Sequence, residues 1–380
     1  MTRFSPQFGF ATRVAIFYIA ICGAIGVHLP FFPLWLKAKG LDAQTIGVVL
    51  ALPMVVRIAA IPVASRVADR GDAVRGVILF CAVATLATYT MLAFANGASA
   101  ILLLFALASA PYTPIMPLAE TYSLRGLAAH GRVYGPVRLW GSAAFVVGSF
   151  ATGIAADLVS AQYLIWLIVA AMLLIVLAAL TLEPLHLPPH DTSERQRNLI
   201  KDPAFIAVLA AASLTQASHA VYYGFSTLDW SRAGWDGTTI AALWALGVGA
   251  EIVLFAYQGR IGKLVTPGML LVIGGAGGAL RWLAMAFDPP VITIPWLQLL
   301  HGLSFGATHL GALGFVAQRA PAGKGATAQG HLSIALGIAM AAAMALSGWL
   351  YADYGSRAYA AMALIAAAGG ACAVVANKLR

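Results

Sequence analysis

Charge is what this chain has least of. Only 10% of its 380 residues are Asp, Glu, Lys or Arg, against 61% hydrophobic, where soluble domains carry about 25% charged residues. That deficit excludes a soluble globular fold and leaves a polytopic membrane protein. Acid is scarcer than base: 14 Asp and Glu against 23 Lys and Arg give a net charge of +9. A basic excess can signal nucleic acid, but its placement argues otherwise. Lys37, Lys39, Arg232 and Arg357 fall on one set of loops, and Arg57, Arg138 and Arg281 fall inside apolar runs. Every other Lys and Arg falls on the opposite loops and the termini, which is the positive-inside rule and places both termini in the cytoplasm. Cysteine is scarce too, and Cys22, Cys81 and Cys372 are scattered through apolar runs. This suggests neither a disulfide framework nor a metal site. Walker A and HExxH sequences are missing. Without a nucleophile, a metal constellation or a soluble output domain, an intramembrane enzyme or a sensor is disfavoured. No cofactor is expected, and an ion gradient is the plausible driving force, at about 2.3 kcal/mol per charge per 100 mV. No cleavable signal is expected either: the run after Arg3 and Arg13 is too long for a signal segment and ends without a small-residue cleavage site.

Long apolar runs are what the chain does have. A spanning helix needs about 20 apolar residues. Runs near 13–36, 45–66, 75–94, 99–120, 134–155 and 161–182 precede a polar, proline-rich stretch, EPLHLPPHDTSERQRNLIKDP. Further runs follow near 204–228, 238–258, 268–287, 292–315, 326–350 and 357–377. The expected fold is an all-α membrane protein of twelve helices in two pseudo-symmetric six-helix bundles, 1–183 and 204–380, joined by a cytoplasmic linker over 184–203. The runs at 75–94, 161–182 and 357–377 lack charge and are expected as peripheral scaffold. Pro111, Pro114 and Pro117 near the end of the fourth run forbid a regular helix there, and irregular backbone at membrane depth is tolerated where it lines protein or water. GGAGG at 274–278 lies inside an apolar run, where small residues more often serve helix packing than a phosphate.

Charges inside the runs are the sharpest functional signal. Each central charge costs about 2.5 to 3.5 kcal/mol, so such groups should be paired or face a watery cavity. Glu120 closes the fourth run and Arg138 lies about one turn inside the fifth. They are candidate partners across a cavity, or else an interfacial acid and a snorkelling base. Glu251 and Arg281, in successive runs, form a second candidate pair, with a purely structural ion pair as the alternative. Arg57 has a structural partner or a substrate role. Gln216, His219 and Tyr223 share one helical face. His28 and His331 are read as packing residues. His219, His301 and His309 are read as hydrogen-bonding modulators of a proton site at Glu251, since histidine titrates near neutral pH.

Twelve helices as six plus six resemble the major facilitator superfamily, and SRVADRGDAVR resembles its loop between helices 2 and 3, with Asp69 and Arg70 in place. The Glu120 to Arg138 segment is similar to the lactose permease branch, in which these positions bind sugar, and Glu251, Arg281, His301 and His309 resemble that branch's proton-coupling set. Phe145 stands where that branch has a tryptophan, so galactoside recognition is not implied. YGPVRLWGSAAFVVGS, HAVYYGFSTLDW and LWALGVGAEIVLFA resemble the bacterial 3-phenylpropionic acid transporter group, a neighbour of the nucleoside:proton symporters. The resemblance implies a monomeric, proton-coupled symporter of the bacterial inner membrane, working by alternating access around a midplane site. Its partners would be a small solute, protons and the lipid bilayer, with an aromatic carboxylate as the solute. Arg138 would hold the carboxylate beside Glu120, with Trp140, Phe145, Tyr222 and Tyr223 supplying ring contacts and Gln216 and His219 polar ones. A sugar or nucleoside is the alternative substrate.

Overall fold

The computed structural model describes residues 9–70, 73–132, 135–185, 201–319 and 325–379; the side chains of Arg70 and Arg138 lie outside that description. Among the described residues every regular element is helical. They fall into two compact units, one within Met1–Trp35 and Val56–His190, the other within Leu36–Val55 and Asp191–Arg380.

The first unit holds most of α1 (Phe10–Ala38), the second half of α2 (Ala43–Arg70), and α3 (Val74–Ala93). It continues with α4 (Ala98–Tyr112), α5 (Ile115–Ala129), α6 (Gly135–Leu158) and α7 (Leu164–Leu180). α3 packs on α4 and α7. At the end of α7, Arg13 pairs with Glu183 at 3.1 Å and donates to the Thr181 carbonyl, while Arg75 donates to the Leu182 carbonyl. Basic groups thus cap the orphan carbonyls of a helix C-terminus.

Glu120 does not close its helix as expected. The chain breaks at Thr113–Pro114 and resumes as α5, so Glu120 lies near the middle of a second helical segment and is exposed. Pro114 is the N-cap and Pro117 lies in the first turn of α5, where a missing N–H costs no intrahelical bond. Only one of the three prolines, Pro111, sits inside α4.

The second unit begins with the end of α1 and the first half of α2, then α8 (Pro203–Ala217), α9 (Ala220–Arg232), α10 (Gly237–Ala256) and α11 (Gln258–Leu264). α12 (Pro267–Ala286), α13 (Ile294–Leu299), α14 (Thr308–Arg319), α15 (Gly325–Tyr354) and α16 (Tyr359–Lys378) complete it. A Cβ on Gly47 would sit 2.7 Å from Gly348 Cα, an approach that small residues permit and that seats α2 on α15. Gly275 likewise meets Gly370, so GGAGG joins α12 to α16.

By length and hydropathy there are 11 candidate spans among the described residues, the last covering 51 residues, Ala328–Lys378. At 1.5 Å per residue that run is over twice a hydrocarbon core of about 30 Å. Gly355, at φ 57, and the 3-10 turn Gly355–Ala358 divide it into α15 and α16, which makes two crossings of one. The run expected at 204–228 is likewise two helices, α8 and α9, meeting at Ser218–His219. The run expected at 292–315 opens its hydrogen-bond ladder into a π-helix over Gly302–Ala307. π-segments concentrate at functional sites.

Candidate functional site

The α8–α9 break and the π-segment of the second unit meet through hydrogen bonds between buried polar groups. At the α8–α9 break, Ser218 donates to the Thr215 carbonyl, and His219 Nδ1 lies 3.1 Å from the Gln216 carbonyl. That carbonyl already takes the His219 backbone N–H. His219 Nδ1 therefore carries its proton and Nε2 is the acceptor. Ser304, in the π-segment, meets that Nε2 at 3.1 Å, so its hydroxyl donates. Gln216 Nε2 donates to the Phe305 carbonyl in the π-segment, which also takes the Thr308 N–H. Trp282 Nε1 donates to Ser218 Oγ at 2.9 Å. The break and the π-segment are thus stapled twice, through Gln216 and through His219.

Arg281 sits behind this staple and is 0% exposed. Nη2 donates to Gln298 Oε1 at 2.5 Å and Nη1 to His301 Nδ1 at 3.1 Å. Its guanidinium lies 4.5 Å from the Tyr222 ring centroid and 4.4 Å from that of Trp282. Aromatic faces offer a desolvated cation partial compensation, and its Nε has no hydrogen-bond partner among the described residues. The cost of burying this cation is met by neutral groups and ring faces.

A guanidinium only donates, so His301 Nδ1 accepts and its proton resides on Nε2. Nε2 lies 3.9 Å from Glu251 Oε2. His301 therefore stands between the two charges that the sequence reading paired directly. Glycines let these groups approach. A Cβ on Gly247 would lie 3.3 Å from His301 Cβ, and one on Gly302 would lie 3.1 Å from the Ala250 carbonyl. Arg281 and His301 are sealed inside, whereas the Glu251 side chain keeps 19% of its surface exposed. One charge is fixed and buried, one is reachable, and a neutral imidazole with a defined tautomer connects them.

Of the other residues named from sequence, Tyr222 is buried against Trp244, and Tyr223 stacks on His219 at 5.5 Å and is half-buried. His301, Phe305 and His309 form a column of near-parallel rings at i, i+4 spacing, with His309 at its exposed end. Ser304 was not anticipated. Its signal was the stripe Gln298, His301, Ser304, Thr308, all buried, at intervals of three or four.

In the first unit, Trp140 is 59% exposed and lines an apolar groove of about 700 Å³ with Gly23, Val147, Leu174 and Leu177. It presents its ring to a hydrocarbon-lined surface. Phe145 is buried, with its carbonyl against Gly26. Arg57 is half-buried in α2. Asp69 is exposed at the end of α2. Arg138 belongs to α6, but its side chain, and with it any pairing to Glu120, lies outside the described residues.

Two units of bilayer-crossing helices, one built around a buried ionisable network, define a multi-pass membrane transporter of the major facilitator type. The chain belongs to the MFS_1-like family, whose model matches residues 11–361. It is 31% identical over 372 residues to a probable 3-phenylpropionic acid transporter of Escherichia coli (strain K12), covering 93% of this chain and 94% of that protein. It is 28% identical to a maltose permease of Geobacillus stearothermophilus, over 82% of this chain and 79% of that one. Its fold is that of the nucleoside transporter NupG, with a TM-score of 0.80 at 17% identity over 98% of this chain and 99% of that one. These relatives and structural neighbours are transporters, not enzymes.

Proposed function

We propose that the protein is a proton-coupled symporter of a small aromatic carboxylate of the phenylpropionate kind. The observation that carries the reading is the line Arg281–His301–Glu251: a buried permanent cation joined through a neutral imidazole to a carboxylate that water can reach. With Glu251 ionised, the line is close to electrically balanced. With Glu251 protonated, the guanidinium charge is left over, and an anion nearby restores the balance. Proton and carboxylate then strengthen each other's binding, a reciprocal coupling of about 1–3 kcal/mol in typical cases. Loading both moves no net charge, so a pH gradient drives accumulation. The substrate class is supported by the 31% identical Escherichia coli relative.

In this reading the protein lies in the bacterial cytoplasmic membrane with both termini in the cytoplasm. It works by alternating access, as a monomer and without a cofactor, and Glu120 and Arg138 contribute from the first unit. Purified protein in sealed vesicles should accumulate labelled 3-phenylpropionate when the lumen is made alkaline, and a protonophore should abolish the accumulation. Uptake indifferent to the gradient would overturn the proposal. A sugar or nucleoside symporter is the second reading, supported by the permease relative. There Glu120 accepts hydroxyl hydrogen bonds, and competition by sugars or nucleosides, not phenyl carboxylates, would select it.

A further inference from the structure

The first unit contains an aromatic cluster that the network of the second unit does not explain. His28 of α1 stacks on Phe32 at 4.5 Å and lies parallel to Phe105 of α4 at 5.9 Å. Tyr89 of α3 meets it edge-on at 5.8 Å, with its hydroxyl 3.2 Å from His28 Nε2. Tyr112, the last residue of α4, lies 6.3 Å from the imidazole and 6.0 Å from Tyr89. The cluster has two layers. Phe32, Trp35, Tyr89 and Phe105 are buried behind, and His28 and Tyr112 are only half-buried in front.

A cluster built for packing alone would satisfy its polar atoms, because burying an unmet donor or acceptor is costly. Here His28 Nδ1 and the Tyr112 hydroxyl take no hydrogen bond from a described residue, yet neither is sealed from solvent. Beside them, Thr113 Oγ1 is buried without a partner among the described residues. Pro114 and Pro117 carry no N–H, so the Ala110 and Thr113 carbonyls lack their i+4 donors. His28 Nδ1, the Tyr112 hydroxyl and Thr113 Oγ1 thus lie without a described partner around a stacked ring surface, next to a helix break that lacks two backbone donors. A bare phenyl ring lodged there would cover these groups without satisfying them. A ring hydroxyl both donates and accepts.

We propose that this cluster binds the ring end of the substrate and selects an aromatic carboxylate bearing a ring hydroxyl. The ring would lie against His28 and Tyr112, and its hydroxyl would meet His28 Nδ1, the Tyr112 hydroxyl or the freed carbonyls at the α4–α5 break. The proposal rests on the aromatic-carboxylate reading above.

Calorimetric titration of the full-length protein in lipid nanodiscs tests it, with 3-phenylpropionate, its 3- and 4-hydroxyphenyl counterparts and 3-cyclohexylpropionate as probes. The expected order is hydroxyphenyl first, tighter than phenyl by roughly three- to tenfold, with cyclohexyl weakest. His28→Phe and Tyr112→Phe keep the rings in place and should reduce the preference for the hydroxyl. Equal affinity for the phenyl and hydroxyphenyl acids in the wild type, or an undiminished preference in both variants, overturns the proposal and leaves the aromatic-carboxylate reading standing. If no aromatic carboxylate binds the wild type, that reading falls and takes this one with it.

Discussion

In the first unit the buried hydroxyls of Thr85, Ser109, Ser123 and Thr152 each return to the carbonyl one turn back in their own helix, and Ser149 reaches the Gly26 carbonyl of α1. In the second unit the buried polar groups reach across spans: Gln216 to Phe305, His219 to Ser304, Trp282 to Ser218, and Arg281 to Gln298 and His301. Both arrangements satisfy polar atoms away from water. The first unit has one contact of this kind that turns on a tautomer, the Tyr89 hydroxyl to His28 Nε2, whereas in the second His219, His301 and Arg281 tie several helices to one another through defined protonation states. The first unit offers shape and rings, and the second holds the ionisable machinery.

Substitutions should separate the two patterns. Arg281→Met should have the largest effect, because Gln298 and His301 lose a charged partner inside the bundle. A stability loss of about 3 kcal/mol, read by thermal melting in detergent, should accompany loss of gradient-driven uptake. Wild-type melting and uptake would erase the distinction between the units. Ser304→Ala removes the donor to His219 Nε2 and should cost about 1 kcal/mol, with slower uptake that shows whether the staple across the break matters for turnover.

Asp42→Ala removes the acceptor for the Thr45 N–H at the start of α2 and should cost about 1 kcal/mol at neutral pH. That N–H holds the Asp42 carboxyl below its ordinary value. Its contribution is therefore present above the unfolded value of about 3.9 and is lost as pH falls through the lower folded one. The melting temperatures of variant and wild type should converge in acid. Thr152→Val should have the smallest effect, within about 0.5 kcal/mol and with uptake unchanged, since its hydroxyl serves only its own helix.

The fold was largely legible in the sequence because hydrophobic length needs no tertiary information. Apolar runs marked the spans, and Glu251 and Arg281 stood out as charges within them. The breaks were not legible from run length alone. A hydropathy average runs straight through Ser218–His219 and through the π-segment, neither of which contains a proline. Three prolines within seven residues signal a helix stop, yet α5 continues past Glu120 because Pro117 sits where a first helical turn accepts it. The place of His301 between Glu251 and Arg281 depends on three helices meeting, and the rings around His28 also come from three, so no spacing rule along one segment could reveal either.

The central claim is that the carboxylate of Glu251 couples proton movement to substrate movement through His301 and Arg281. It is tested most directly by comparing wild type and Glu251→Gln in the same vesicles, in two modes: accumulation of 3-phenylpropionate driven by a pH gradient, and exchange of labelled for unlabelled substrate at equal pH. The account predicts that the variant loses accumulation by at least about tenfold, equivalent to 1.4 kcal/mol of coupling, while exchange persists. Gradient-driven accumulation at the wild-type rate by Glu251→Gln would contradict it.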